Sequence, residues 1–144
     1  INYQLSSPGS VGQAVIQADL VVGAVLIRGQ KAPFVVTKAM VKKMQPGAVI
    51  VDVSIDQGGC VETSRPTSHL DPVFQQYGVV HYCVTNMPGA YPKTSTLALT
   101  QATLPYIQKL ADQGMRALQA DKGFMKGVNT DQGKIVNPDV ADNF

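Results

Sequence analysis

The sequence predicts an α/β fold: a doubly wound parallel sheet, followed by a mainly helical C-terminal segment. Three observations lead there. The first is the stretch Pro46-Gly47-Ala48-Val49-Ile50-Val51-Asp52-Val53-Ser54-Ile55-Asp56-Gln57-Gly58-Gly59, a β-branched run opened by Pro-Gly and closed by a carboxylate and two glycines. A strand apolar on both sides suits a parallel sheet covered by helices. The second is that Leu20–Ile27 and Val79–Val84 are runs of the same kind, with helical signals between the first two runs. Strand–helix–strand alternation with short links argues a parallel sheet. The third is a change at Lys93, after which helical spacing replaces strand-like runs.

Taken in order, residues 1–5 read as the tail of a strand. Ser6-Ser7-Pro8-Gly9-Ser10 supplies turn and cap residues for a short helix over 10–18, poor in propensity because Gly12 sits inside it. Asp19 precedes the strand 20–27. Ala32-Pro33 opens a helix, with Pro33 in the first turn, where its missing N–H costs nothing. Val36, Met40 and Met44 recur at the spacing of one buried helix face, and Gln45-Pro46-Gly47 stops that helix. The strand 48–54 follows, then an aperiodic loop from Ile55 to Gln76; loops of that length are usually functional. The strand 79–84 leads into irregular chain, Thr85 to Pro92. Thr94 or Ser95 caps a helix over 95–113, with Leu97, Thr100, Leu104, Ile107 and Ala111 on one face and Pro105 expected to bend it. A second helix covers 115–121, and Asp131-Gln132-Gly133 turns a small hairpin between Val128 and Ile135. The result is half of a Rossmann-type sheet plus a helical tail. No G-x-G-x-x-G follows a strand, so the phosphate-binding turn of such a domain is missing.

Composition excludes several classes of function. The 144 residues are 44% apolar and only 15% charged, which argues against disorder and suggests surface covered by another domain or subunit. A net charge of +2 without a basic stripe gives no case for nucleic acid. No uncharged apolar run reaches the ~18 residues a membrane span needs. The start, Ile-Asn-Tyr-Gln, has no signal-peptide character and reads as a cut or processed end. Cys60 and Cys83 fit free thiols in a reducing cytoplasm, and neither has a partner that would activate it.

In open α/β sheets, ligands bind at the carboxyl ends of strands. Asp56 falls at such an end, and Gly58 and Gly59 let the backbone turn there. Spacing alone leaves two roles open: a functional carboxylate, or an aspartate capping the following turn.

At Ile55-Asp56-Gln57-Gly58-Gly59-Cys60-Val61-Glu62-Thr63-Ser64-Arg65-Pro66-Thr67 a family resemblance becomes specific. Together with Ala18–Leu26, Lys31-Ala32-Pro33, Met44–Asp52, Asn86-Met87-Pro88 and Pro92–Thr96, this block resembles the bacterial alanine dehydrogenases; the tail beyond Gly114 matches only in character. The resemblance implies a C-terminal fragment. Residues 1–92 would be the second half of an NAD-binding Rossmann domain, and 93–144 the helical return into a substrate domain. It implies reversible oxidation of L-alanine with NAD to pyruvate and ammonia, in a cytoplasmic homohexamer.

Under that resemblance Asp56 matches the family's catalytic aspartate. A carboxylate there would stabilise the positive charge developing at the substrate nitrogen and relay a proton. The implied NAD contacts are Ser6 towards the adenine, Val25 and Leu26 along the adenosine through their backbone, and Val53, Ser54, Ile55 and Asp56 on the nicotinamide. Arg65 would meet phosphate or ribose oxygens, and Val84, Asn86 and Met87 the carboxamide side of the ring. The alternatives stay open: Ser6 as a helix cap, Arg65 paired with Glu62, Asn86 as a turn residue before Pro88. The family's catalytic histidine and its substrate-binding lysine and arginine would lie upstream; His81 reads as a core or edge histidine and His69 as a surface one. Some members carry a metal-binding glutamate and histidine where this chain has Lys109 and Gln113, so no metal is expected. Two other classes compete. One is the nucleotide-binding subunit of proton-translocating transhydrogenase, which carries Glu where this chain has Asp56. The other is a non-catalytic fold that packs as an oligomer and binds NAD weakly or not at all.

Overall fold

The computed structural model describes residues 2–141. By their contacts these form two compact units. One comprises the chain before Arg28 together with Lys31–Met87; the other comprises Arg28–Gln30 and the chain from Pro88 onward.

The first unit is built on a four-stranded sheet. Its strands are β1 (Leu20–Gly23), β2 (Val49–Asp52), β3 (Val73–Gln76) and β4 (Val79–Tyr82), in the order β1-β2-β4-β3. β1, β2 and β4 are parallel, and β3 runs antiparallel at the edge. Register places Val21, Ile50, His81 and Phe74 in one row, and Val22, Val51, Tyr82 and Val73 in the next. Ile50 and His81 are fully buried, whereas Val22 and Val73, in the adjacent row, are exposed. Adjacent rows point to opposite faces, so the buried face belongs to the row of Ile50 and His81. Over it pack Val15, Ala32, Val36, Val41, Met44 and Val61.

α1 (Pro8–Gln17) starts two residues before the expected point. Ser7, not Ser6, is its cap: the Ser7 side chain accepts from Ser10 N at 3.1 Å, and Ser10 Oγ accepts from Ser7 N at 2.9 Å. α1 packs on Met40 at Gly12, where an added Cβ would meet Met40 Cε at an ordinary contact distance of 3.4 Å. The expected strand at 1–5 is not formed over residues 2–5, and residue 1 lies outside the described residues.

The expected helix opening at Pro33 is also absent, and α2 is confined to Lys38–Val41 behind a Thr37 cap. The stretch before it is held by chain remote in sequence. Ala32 N donates to the Gln57 carbonyl at 2.9 Å, Val35 N to the Cys60 carbonyl at 2.8 Å, and Glu62 N to the Val36 carbonyl at 2.9 Å. Val36 and Met44 are buried as their spacing suggested, but of the three residues Val36, Met40 and Met44 only Met40 lies on α2.

β1 and β2 are shorter than their apolar runs. β2 gives way at Val53 to a 3-10 helix, Val53–Gln57, and the ladder of β1 ends with it at the pair Gly23 and Asp52. The expected loop 55–76 contains the end of this helix and β3, which turns into β4 through Tyr77 (φ 54°) and Gly78 (φ 78°). Two successive left-handed residues mark a type I′ hairpin turn.

In the second unit, α3 (Pro92–Gln113) spans 22 residues and runs through Pro105 without interruption. It begins at Pro92 behind Tyr91, with no side-chain cap. Ser95, one of the expected caps, instead donates its hydroxyl to the Pro88 carbonyl at 2.9 Å. No residue of α3 is buried. α4 (Met115–Ala120) contributes the buried Ala117 and Leu118. α5 (Lys122–Met125) is capped by Asp121. β5 (Thr130–Asp131) and β6 (Lys134–Ile135) form the expected hairpin through Gln132 and Gly133, and α6 (Pro138–Ala141) follows.

Candidate functional site

The parallel strands β1, β2 and β4 finish along one sheet edge, where Gly23 pairs with Asp52 and Val51 with Tyr82. The segments leaving that edge carry most of the candidate residues, all within the first unit.

Asp56 sits on the 3-10 helix with its side chain exposed. Both of its carboxylate oxygens accept from Asn86 N, each at 3.2 Å. Asn86 has φ 53°, in the left-handed region. Its carbonyl lies 3.0 Å from the His69 ring nitrogen. Tertiary structure thus joins two residues 30 positions apart, which the family resemblance had brought separately to a nicotinamide.

The other candidates are placed as follows. Ser54 and Ile55 are buried, Val53 is half exposed and Leu26 mostly exposed. Val25 is half-buried, and its backbone is engaged: its N–H donates to Ser54 Oγ at 2.7 Å, and its carbonyl accepts from the same hydroxyl at 2.8 Å. One hydroxyl thus engages both backbone groups of Val25. Arg65 is exposed, with its guanidinium 4.2 Å from the Phe74 ring centroid. It is not paired with Glu62, whose carboxylate accepts from Lys38 N at 2.7 Å. Val84 is buried and Met87 half-buried. Ser6 is exposed and sits apart, lining a hollow of about 240 Å³ with Val11, Phe34, Val35 and Met40.

His81 is buried, stacked on Phe74 at 4.8 Å. Its Nδ1 faces the Val79 carbonyl at 3.0 Å and its Nε2 the Thr63 hydroxyl at 2.8 Å. A carbonyl only accepts, so Nδ1 carries the proton and Nε2 accepts from Thr63. Burial holds this imidazole below its ordinary pKa, against the raising influence of the Val79 carbonyl and the Asp52 charge. Cys60 and Cys83 are free buried thiols, with pKa values pushed up chiefly by burial. Among the described residues no group of three His, Cys, Asp or Glu side chains could hold a metal ion.

Sequence reading missed three residues around this edge. Asp52 is fully buried and gathers the chain on either side of Asp56; its signal was a carboxylate ending an apolar run. Lys31 lies across Gly58, where an added Cβ would come within 2.6 Å of its Cε. Phe74, the platform for Arg65 and His81, lay in the stretch read as loop. A larger cavity, about 860 Å³, belongs to the second unit between Arg28, Lys122, Lys126 and Asn137. It contains none of the residues singled out from the sequence.

Residues 1–138 match the family described as alanine dehydrogenase/PNT, C-terminal domain. The alanine dehydrogenase of Mycolicibacterium smegmatis is 52% identical over 142 residues, 98% of this chain and 38% of the relative. That of Staphylococcus saprophyticus is 54% identical over 140 residues, again 38% of its length. The chain therefore spans well under half of the curated relatives it matches. The similarity also runs past Gly114, where sequence reading found only a likeness of character. A solved L-alanine dehydrogenase superposes with a TM-score of 0.77 at 50% identity, over 95% of this chain and 38% of that one. A transhydrogenase from Sinorhizobium meliloti shares the fold, with a TM-score of 0.68 at 23% identity over 92% of this chain and 36% of that one. No helix among the described residues is long and apolar enough to cross a membrane.

Proposed function

The chain belongs to the alanine dehydrogenase/PNT C-terminal domain family, and on that premise we propose that it forms the carboxylate-bearing part of an NAD-dependent L-alanine dehydrogenase. The observation that carries this reading is the clasp between Asp56 and Asn86 N at the carboxyl edge of the parallel sheet. Residues 1–92 are the second half of the NAD-binding domain, and 93–144 belong with the substrate domain. The reaction is oxidative deamination of L-alanine to pyruvate and ammonia, in a cytoplasmic homo-oligomer, a hexamer as in the family.

The residues present fit a nicotinamide cofactor. Asp56 is exposed, and Met87, next in the chain to the Asn86 that bonds it, carries a thioether that can pack on a ring. Val53 and Ile55 flank the carboxylate, and Arg65 offers an exposed fork of donors for ribose or phosphate oxygens. Bound NAD supplies the hydride acceptor. Asp56 stabilises positive charge as it develops on the substrate nitrogen and holds a proton for transfer. The Asn86 N–H, shared between both carboxylate oxygens, fixes the rotamer in which Asp56 does this. Ser6, Val25, Leu26, Ser54, Val84 and Asn86 complete the cofactor wall. The histidine, lysine and arginine that complete the site come from chain outside these 144 residues.

The test is alanine-dependent NADH formation by a full-length protein that carries these residues. Asp56→Asn should lower kcat by about 10²- to 10⁴-fold with little change in NAD affinity. Wild-type turnover in that variant would sink the assignment. Hydride exchange between nucleotides, dependent on a membrane partner and without alanine turnover, would move the protein to the transhydrogenase side.

A further inference from the structure

We propose that Asp52 is a positioning residue for this site: it holds the loop that carries Asp56 without touching the reacting atoms. The inference rests on the reading of Asp56 given above.

Asp52 ends β2 and is fully buried. Its Oδ1 accepts from Ser54 N at 3.1 Å, and its Oδ2 accepts from Cys60 N at 3.0 Å and Val61 N at 3.1 Å. The Cys60 thiol adds a contact to Oδ1 at 3.5 Å. One carboxylate thus closes the segment 53–61 at both ends, with Asp56 at its middle. The hold extends outward, because Ser54 clamps the N–H and carbonyl of Val25, and Cys60 O accepts from Val35 and Val36. Glycines make the room. A Cβ on Gly59 (φ +79°) would come within 2.9 Å of Asp52 Oδ2, and one on Gly23 within 2.4 Å of Cys60 Sγ.

The carboxylate is specifically required. Backbone N–H groups point at each of its oxygens, so an Asn amide would turn its NH₂ onto at least one of them in either orientation. A buried donor facing a donor forces the loop to move. Displacement of about 1 Å at a reacting group is enough to cost on the order of 10²-fold in rate.

The experiment uses the full-length protein with Asp52→Asn, and with Gly59→Ala, which keeps the charge but presses on Oδ2. Turnover is measured per folded molecule, with the primary isotope effect on L-alanine deuterated at Cα and the pH profile of kcat. Both variants should lose at least about 10-fold in kcat, with a larger isotope effect and a displaced limb in the pH profile. A purely structural role would lower the folded fraction and leave the isotope effect and pH profile unchanged; that result in both variants overturns the proposal. If only Gly59→Ala folds, its isotope effect decides alone. Asp56→Asn is run alongside. Wild-type turnover there removes the site reading and this inference together, whereas loss there with unaltered Asp52 and Gly59 variants removes this inference alone.

Discussion

Ile50 and Ile107 are both isoleucines inside regular elements, yet the first is 0% exposed and the second 59%. The contrast holds for the units they belong to. In the first, β2, β4 and the segments over them bury Ile50, Val41, Val61 and Val79 completely. In the second, α3 buries none of its 22 residues, and Leu97, Leu99 and Tyr106 are at least half exposed. The first unit closes one sheet face with its own chain; the long helix of the second does not find cover among the residues described. The chain itself spans 38% of the length of the relative from Mycolicibacterium smegmatis.

Substitutions can break or sharpen that contrast. The largest effect is expected at Ile50→Ala, which removes most of a fully buried side chain and should cost about 2–5 kcal/mol in denaturant unfolding. A cost below about 1 kcal/mol would mean that the sheet core is looser than its burial implies. Gly59→Ala comes next, because its φ of +79° and the 2.9 Å approach to Asp52 both oppose a Cβ; about 1–3 kcal/mol is expected. His81 follows. Its folded pKa lies below the ordinary value, so below the unfolded pKa the unfolded chain takes up a proton that the native state refuses. Its stabilising contribution is therefore full above about pH 6.5 and is lost as pH falls towards the depressed folded value, at no more than about 1.4 kcal/mol per pH unit. Stability measured between pH 7 and pH 5 should show this fall, and His81→Gln should flatten it. The smallest effect belongs to α3: Ile107→Ala in this 144-residue chain should shift stability by no more than about 0.5 kcal/mol. The same change in a full-length protein should cost more, and an equal cost in both would show that α3 stays uncovered there.

Much of this was legible in the sequence. Parallel strands announced themselves as apolar β-branched runs, because both faces of such a strand need partners. The hairpin at Gln132 and Gly133 and the cap ahead of α1 followed from local turn chemistry, which acts within a few residues. Asp56 could be placed at a strand end because a β-branched run stopped at Gly58 and Gly59. Two of the misreadings share one cause. The extended chain at 31–36 and the early end of β1 both depend on hydrogen bonds with remote residues, such as Val36 to Cys60 or Val25 to Ser54, whereas β3 was hidden although its partner β4 follows it through a two-residue turn. Periodicity saw the burial of Val36 and Met44 but could not tell a helix from a strand bridged to Val61.

The sequence by itself settled the class of fold and which side chains are apolar enough to be buried, since both follow from composition and short-range pattern. Only the tertiary structure decided what the polar groups do. It set Asn86 N against Asp56 and turned Asp52 inward onto Ser54, Cys60 and Val61. The reason is physical: hydrophobic burial is non-directional and can be read from residue type, whereas a hydrogen bond requires a particular donor at about 3 Å, and folding alone brings it there.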